Sequence, residues 1–214
     1  MTLKLQAPAT VPAVTLAEAK LHLRIDTSAE DALLTSLVVA ATQDAEHLMG
    51  RAVMPQKWQL TLDTFFDPSV FAEPAPLTID IVRGPSYVTG STALQLARPT
   101  VTAVDTVKYI DPTGVLQTLA STEYQLAAAS DYTARLLPAY GKSWPAIRPQ
   151  PEAVQVVFSC GYADAASVPE LIKAWIKLRV GALYENKQMW TMGKAIEPNE
   201  FLDRLLDRYR VWSC

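Results

Sequence analysis

The residues best suited to phosphate chemistry are Gly141-Lys142-Ser143, which resemble the end of a phosphate-binding loop. The complete motif needs a glycine five residues before Gly141, where this chain has Leu136. Trp144-Pro145 follows where a helix should present its N-terminus to phosphate. The sequence therefore predicts no nucleotide site at this fragment.

Two histidines and one internal cysteine are the other candidates for catalysis or metal binding. Neither His22 nor His47 has a second ligand at metal-binding spacing, which indicates structural histidines. A catalytic thiol at Cys160 would need a lowered pKa and a positioned base, and both histidines are distant in sequence. Cys160 is interpreted as a small buried strand residue. We expect no catalytic, cofactor or metal site and no enzymatic activity.

Two clusters of charge have ordinary explanations. Asp26, Glu30 and Asp31 lie where helix N-termini are expected, so capping accounts for them, although a cation or interface role stays open. Basic residues of a later helix (Lys173, Lys177 and Arg179) are typical of a solvated helix face, and a role towards a partner or DNA is the alternative.

The composition indicates a globular protein that does not grip nucleic acid by itself. The 214 residues are 50% hydrophobic, which is enough for a core without disulfides or metal. The net charge of −3 and the scattered Lys and Arg argue against a free-standing nucleic-acid binder, but not against a protein that surrounds DNA. We expect no signal peptide, membrane span or disulfide framework, hence assembly in the cytoplasm of the producing cell.

A long helix from Ser28 to Gly50 is the element around which the others are expected to pack. Ser28 and Asp31 form a capping-box pattern, and Gly50 is a left-handed C-cap. The apolar stripe expected on its buried face is Leu33, Leu37, Ala41, Ala45 and Leu48.

The remaining helices are predicted near both ends of the chain. After an extended arm over residues 1–14, a capping box of Thr15 and Glu18 opens a short helix through Leu23. Pro169 begins a later helix, and Asn199 caps a final one. The apolar positions of the final helix are Leu202, Leu205, Leu206 and Tyr209, spaced i, i+3, i+4 and i+7. We expect the first and last helices to pack on the long one.

Between these helices the apolar period changes from 3.6 to 2, which predicts strands and tight turns. Asp111 to Gly114 is a hairpin turn, and residues 67–76 and 135–151 are interpreted as a loop and a proline-bounded segment. The predicted strands are 58–62, 77–81, 106–110, 115–119, 124–126 and 154–158, the last ended by Gly161.

The sequence thus predicts an α+β fold, a bundle of about four helices from both chain ends with an inserted antiparallel β-rich domain. The expected organisation is 1–52 for the N-terminal arm and two helices, 53–165 for the β-rich region, and 166–214 for the C-terminal helices and tail. The tail Tyr209-Arg210-Val211-Trp212 holds residue types common in interface hot spots. Folding back and docking onto another protein both remain open for it.

Several stretches together resemble the head–tail connector (adaptor) proteins of tailed bacteriophages and gene transfer agents. Residues 15–26 resemble the family's first helix and turn. The start of the family's long helix is resembled by Glu30-Asp31-Ala32-Leu33-Leu34, and its end by Gly50-Arg51-Ala52. The recognisable central signature is Arg135 to Pro145 with Arg148-Pro149-Gln150. The family's closing helix is resembled here by three stretches: Gly161-Tyr162, Val168-Pro169-Glu170 and Trp175 to Asn186. Tyr209-Arg210-Val211 resembles the family's usual end. Residues 67–100 match least.

The resemblance implies a structural virion protein of the head–tail interface, without cofactor or membrane. It implies a ring, commonly about twelvefold, beneath the portal protein. DNA passes through this ring without specific binding, and the ring receives a head-completion (stopper) or tail-completion protein. Exposed stripes of the first and last helices and the sheet edge are the natural ring surfaces. The residues expected to dock onto the portal are Leu202, Leu205, Leu206, Tyr209, Arg210, Val211 and Trp212.

Two other functions remain as alternatives. One is a small cytoplasmic enzyme or ligand-binding protein that uses a cleft near Tyr140 to Trp144, which predicts polar side chains converging near Lys142. The other is a DNA-binding module, which predicts salt-dependent affinity for free duplex.

Overall fold

The computed structural model describes residues 1–65, 93–185 and 204–211, which contain three α-helices and eight β-strands. The helices are α1 (Leu16–Leu23), α2 (Asp31–Met49) and α3 (Glu170–Glu185). The strands are β1 (Thr2–Ala7), β2 (Gln56–Leu62), β3 (Leu94–Leu96), β4 (Val101–Ile110), β5 (Leu116–Leu119), β6 (Tyr124–Ser130), β7 (Thr133–Pro138) and β8 (Val154–Cys160). Helices together with antiparallel strand pairs confirm the predicted α+β class.

The chain divides into two compact units, each built from separate stretches of sequence. The β-unit comprises Met1–Gln6, Lys57–Ala97 and Val101–Ser159. The helical unit comprises Ala7–Gln56, Arg98–Thr100 and Cys160–Cys214. The N-terminal residues, predicted as an extended arm, form strand β1 of the β-unit, because the alternating segment Thr2–Ala7 pairs beside β2.

The capping box predicted for the first helix is confirmed. The Glu18 backbone N–H donates to Thr15 Oγ1 at 3.2 Å, and the Thr15 backbone N–H donates to Glu18 Oε2 at 2.7 Å. These reciprocal bonds satisfy two donors that the helix itself leaves without partners. They also hold the pKa of the Glu18 carboxyl below its usual range.

The start of α2 differs from the prediction. Ser28 does not cap the helix; Glu30 occupies the N-cap position without a side-chain capping bond. Ser28 instead uses its carbonyl oxygen to accept the Asp31 N–H in a turn, at 3.3 Å. The end is as predicted, because Gly50 adopts φ +70° and its N–H donates to the Glu46 carbonyl at 3.0 Å.

The buried face of α2 is rotated relative to the predicted stripe. Leu33 is exposed, and Leu37 and Leu48 are only half-buried, whereas Ala41 and Ala45 are buried as expected. The reason is that α2 contacts both α1 and α3, so its buried face must serve two neighbours. The buried residues are Leu34, Val38, Ala41, Ala45 and Met49.

The helical core forms where α1 and α3 pack on α2, which confirms the prediction for the first helix. The second helix packed on α2 in the described residues is α3, which is not the last helix that the sequence predicts. The largest buried side chain is Trp175 of α3, which lies in this core with Ile172 and Ile176. The final predicted helix begins at Asn199, outside the described residues. Its described part is one helical residue, Arg204, followed by a 3-10 turn, Asp207–Tyr209.

The β-unit holds two sheets of defined order. The larger has five strands in the order β1-β2-β8-β4-β5, and the smaller has three in the order β3-β7-β6. The predicted hairpin is confirmed, with β4 and β5 antiparallel and Ile110 opposite Leu116. In β2, Leu60 and Leu62 are buried as the alternation predicted, and Trp58 is half-buried.

One strand of the smaller sheet lies where the sequence predicted only a proline-bounded segment. β7 begins at Thr133 and pairs with both β3 and β6, with Ala134 and Leu136 buried. Its apolar alternation is short and ends at Pro138, so the segment alone does not separate a strand from a loop. The predicted loop 67–76 and strand 77–81 lie outside the described residues.

Gly161 ends β8 and is required by close approach of another backbone. Its φ is +112°, and a Cβ atom there would lie 2.2 Å from the carbonyl oxygen of Met54. Its N–H donates to the Thr100 carbonyl at 3.1 Å. A side chain would therefore meet backbone that cannot move aside easily, and only glycine fits.

Candidate interaction surfaces

The C-terminal segment predicted to dock onto a partner is folded back on the helical unit in its described part. Leu206 is buried in the helical core, and Leu205 and Tyr209 pack against that core as partly buried side chains. The Val211 N–H donates to the Met49 carbonyl at 2.8 Å, beside the glycine that ends α2. Arg210 is exposed, and Leu202 and Trp212 lie outside the described residues.

A partly buried polar cluster supports the end of α2 where this segment is anchored. Glu46 Oε1 accepts hydrogen bonds from the Val53 N–H at 2.8 Å and from Gln56 Nε2 at 2.7 Å. The Arg98 guanidinium donates to the Glu46 carbonyl oxygen at 3.0 Å. Burial raises the pKa of the Glu46 carboxyl, and its hydrogen bonds oppose this effect. The sequence did not single out Glu46, because its partners come from two other stretches, residues 53–56 and Arg98.

The solvent face of α2 is uncharged over most of its length. Between Asp31 and Asp44 the helix has no charged residue, and Val39 is 49% exposed. Hydroxyl groups on the helix bond to its own backbone, for example Thr35 Oγ1 to the Asp31 carbonyl and Ser36 Oγ to the Leu33 carbonyl, each at 2.7 Å. These side chains therefore add little polarity to the face.

The acidic cluster at the start of α2 links helices rather than capping one. Lys20 Nζ of α1 pairs with Asp31 Oδ1 at 2.7 Å. The Tyr184 hydroxyl of α3 donates to Glu30. Asp31 still lies in the first helical turn, where its charge suits the helix dipole. The electrostatic explanation therefore holds for Asp31, whereas Glu30 at the N-cap position makes no side-chain capping bond. Both acidic side chains also bond to neighbouring helices.

Two basic residues of α3, Lys173 and Arg179, form ion pairs within the helical unit. Lys173 Nζ pairs with Glu170 at 2.6 Å on the same helix. The Arg179 guanidinium pairs with Asp44 of α2 at 2.9 Å. The Lys173 side chain is only 12% exposed, so this face is less solvated than the sequence predicted, and Arg179 ties α3 to α2.

The region from Tyr140 to Trp144 forms a tight turn and a small cleft. Lys142 Nζ pairs with Glu123 at 3.1 Å, and no helix follows the Gly-Lys-Ser fragment. Trp144 stacks on Phe65 with ring centroids 4.6 Å apart, and Tyr140 is fully exposed. The cleft has a volume of about 230 Å³ and is lined by Thr64, Phe65, Pro138, Lys142, Ser143, Trp144, Pro145 and Ile147. This mostly apolar lining does not provide the convergent polar groups that a catalytic site needs.

The remaining candidate residues show no arrangement suited to catalysis or metal binding. Burial raises the pKa of the Cys160 thiol to about 12, and its Sγ lies 3.9 Å from the Gln56 carbonyl oxygen. Cys160 is therefore the buried strand residue that the sequence predicted. His22 and His47 are exposed, and no group of three potential metal ligands occurs in the described ranges. Among the same residues, no helix is both long and apolar enough to cross a bilayer.

Comparison with known proteins identifies relatives of both the sequence and the fold. Residues 13–69 match the family described as "Phage gp6-like head-tail connector protein". Among curated proteins, none matches this chain significantly.

Three solved structures of gene transfer agent (GTA) particles contain a chain of similar fold. In the neck of an empty GTA particle computed with C6 symmetry, the chain is 21% identical with a TM-score of 0.72. The virion of a native GTA particle gives the same values, and the neck of a native GTA particle computed with C12 symmetry gives 19% and 0.70. Each match covers 100% of this chain and 97% of the other.

The matched stretch 13–69 includes α1 and all of α2, whose limits carried the resemblance seen in the sequence. The fold match extends over the full length of the chain. Together these findings show that residues 13–69 are similar to the connector family and that the whole chain is similar in fold to a chain of the GTA particle.

Proposed function

We propose that this protein is a structural component of the virion neck, a head–tail connector that joins the capsid to the tail. The observation that carries the proposal is the full-length similarity of fold to a chain of the GTA neck, combined with the connector-family match over residues 13–69. Members of such an assembly act by contact with neighbouring proteins. The protein is accordingly not an enzyme.

The proposed assembly is a ring of identical subunits, about twelve in number, beneath the portal protein. The C6 and C12 symmetries of the similar particle necks support a ring. A closed ring requires each copy to present two different surfaces, one to each neighbour. The uncharged face of α2 around Val39 is one exposed surface suited to such a contact.

DNA is proposed to pass through the ring without being held. The net charge of −3 supports this role, because a basic lumen would attract phosphate and retard movement. The same proposal includes a bundle of about four helices and a division of the chain into the ranges 1–52, 53–165 and 166–214. The helical ranges, 1–52 and 166–214, are proposed to contact other proteins of the particle. A stopper or tail-completion protein is proposed to bind the far side of the ring.

The C-terminal residues Leu202 to Trp212 are the proposed portal contact. Leu206 and Val211 anchor the segment to the helical unit, which fixes the position of the residues between them. Exposed Arg210 is then held on an ordered backbone and can meet a partner without losing much conformational entropy.

The test uses purified portal rings mixed with this protein, observed by negative-stain imaging and co-sedimentation. Wild-type protein is expected to add a second ring to the portal. Arg210→Glu should weaken this addition, whereas Arg135→Glu, the same charge change at an exposed position of β7, should leave it unchanged. Failure of the wild-type protein to bind portal would refute the connector role. Normal binding by Arg210→Glu would refute only the docking assignment.

A further inference from the structure

Strand β5 lies at the open end of the five-stranded sheet. The order β1-β2-β8-β4-β5 leaves β5 with one strand neighbour, β4, in the described part of the chain. At the opposite end, β1 likewise has one neighbour, β2. One subunit therefore carries two different sheet edges.

The hydrogen-bond pattern identifies which residues of β5 face outward from the sheet. Asp111 N–H donates to the Val115 carbonyl at 2.9 Å, which closes the hairpin as a hydrogen-bonded pair. The next pair, Ile110 and Leu116, is non-bonded in an antiparallel ladder. In agreement with this pattern, the Ile110 N–H donates to the Ala153 carbonyl at 2.9 Å, and the Ile110 carbonyl accepts the Arg148 N–H at 3.0 Å. Both bonds lie on the side away from β5. By the same alternation, the backbone groups of Leu116 and Thr118 point to the open edge.

The sequence of strand β5 lacks the residues that usually protect an edge strand against pairing. Residues 115–120 contain no charge and no proline. Val115 is 54% exposed and Leu116 is 52% exposed. Natural edge strands are commonly protected by lysine, proline or a covering segment, because an uncovered edge pairs with other chains. An exposed, uncharged edge is therefore suited to accept a further strand.

The hairpin that presents this edge is held in place by hydrogen bonds within the chain. Asp111 Oδ1 accepts hydrogen bonds from the backbone N–H groups of Thr113 and Val115, both at 2.9 Å. Asp111 Oδ2 accepts a hydrogen bond from Gln117 Nε2 at 2.9 Å. Gly114 completes the turn with φ +90°, and its N–H donates to the Asp111 carbonyl at 2.9 Å. A preorganised edge loses little entropy when a strand is added.

We propose that β5 of one subunit pairs with β1 of the next subunit, so that the sheets of neighbouring copies join around the ring. This inference rests on the proposed ring, which needs two different surfaces per copy, and the two sheet edges supply them. The pairing brings no like charges together, since Lys4 is the only charged residue of β1 and Asp111 the only one from 111 to 119. Pairing of β5 with a second β5 would give a closed twofold dimer instead.

The experiment replaces Thr118 with proline, which removes an outward N–H without removing a bond to β4. Thr118→Val is the matched control, because it keeps the N–H and the strand propensity. Circular dichroism and thermal unfolding check that both variants fold. Ring assembly is then followed by sedimentation and negative-stain imaging, with and without portal. Thr118→Pro is expected to weaken each subunit contact about two- to tenfold, by loss of one hydrogen bond, and Thr118→Val to assemble normally.

The outcomes separate this inference from the proposed function. If wild-type protein and Thr118→Val form rings and folded Thr118→Pro does not, the pairing is supported. If folded Thr118→Pro forms rings as well as the control, the edge pairing is overturned and the connector role stands. If the wild-type protein forms no ring even with portal, the proposed function fails and this inference falls with it.

A second measurement identifies the strand that faces β5. In a Cys214→Ser background, Thr118→Cys and Lys4→Cys proteins are mixed and treated with a short bis-maleimide. Joined edges predict cross-linked species only in the mixture, because Cβ atoms on facing strands lie within about 8 Å. Cross-linking of Thr118→Cys with itself would overturn the assignment to β1 in favour of a twofold contact.

Discussion

The backbone N–H of Val211 donates to the carbonyl oxygen of Met49 at 2.8 Å. Met49 is the last residue of α2, and Gly50 follows it. Gly50 also lies close to Val211, since a Cβ atom added at Gly50 would be 3.6 Å from that residue. The C-terminal segment is thus tied to the end of the longest helix by main-chain hydrogen bonding. Its described part belongs to the fold of the subunit, and partner contacts must use the side chains that remain exposed.

Leu206 is predicted to be an anchor of this segment. Because its side chain is buried in the helical core, Leu206→Ala should lower the free energy of unfolding by about 2–5 kcal/mol. Urea unfolding followed by circular dichroism measures the change. The control is Leu178→Ala, at a position 40% exposed, which should cost less than about 1 kcal/mol. Equal effects of the two substitutions would contradict the assigned burial.

Glu46 is predicted to make stability depend on pH. Its pKa is raised in the folded state, so the folded protein binds more protons than the unfolded chain between the two pKa values. Stability contributed by this group is therefore lost as pH rises from the unfolded value of 4.5 through the folded one. Glu46→Gln should remove this component while keeping an acceptor for Val53 and Gln56.

Glu46→Ala is the matching variant without an acceptor. It leaves the buried donors of Val53 and Gln56 without their partner, which should cost about 1–3 kcal/mol at neutral pH. Chemical unfolding at a series of pH values compares the three proteins. If Glu46→Gln retains the wild-type pH dependence, another group must produce it.

Two glycines with positive φ are predicted to respond differently to alanine. Gly161→Ala places a Cβ 2.2 Å from the Met54 carbonyl oxygen, and should destabilise the protein by more than about 3 kcal/mol or prevent folding. Gly141 has φ +73° with nothing within 4 Å, so Gly141→Ala should cost only about 1–2 kcal/mol for the left-handed conformation. Soluble yield and thermal unfolding distinguish them. A Gly161→Ala protein as stable as Gly141→Ala would show that the two backbones are not in close contact.

Asp111 is predicted to hold the β4–β5 hairpin through its charge. Hydrogen bonds, first from the Thr113 side chain and then from Gln117, lower its pKa from 3.8 to about 2. Because the folded pKa is depressed, this contribution is present above pH 3.8 and is lost as pH falls through about 2. The amide NMR signals of Thr113 and Val115 should titrate in that range. Titration of these amides near pH 4 would argue against the network.

The helix termini were predictable wherever a bond within a few residues decides them. Thr15 and Glu18 bond each other, and Gly50 takes the left-handed conformation, so residue type and spacing are sufficient evidence. Ser28 failed as a cap because its backbone enters a turn that ends at Glu30. The local pattern allowed either geometry, and the packing of α2 between two helices selected one.

Strands were predictable where alternation is long or a turn is explicit, as in β8 and the hairpin around Asp111. β7 was missed because only its partners β3 and β6 make Thr133–Pro138 a strand. The polar contacts of Glu46 were likewise beyond reach, since Val53, Gln56 and Arg98 are brought together only by folding.

The sequence by itself determined the α+β class, the principal helix ends, the absence of a plausible catalytic motif and the resemblance to the connector family. These follow from residue type, short spacing and ordered motifs. Tertiary structure decided which face of α2 is buried and that Leu206 and Val211 anchor the C-terminal segment. It also decided that β1 and β5 are the outer strands of one sheet among the described residues. Each of these depends on contacts between residues far apart in the chain, whose pairing no local pattern specifies.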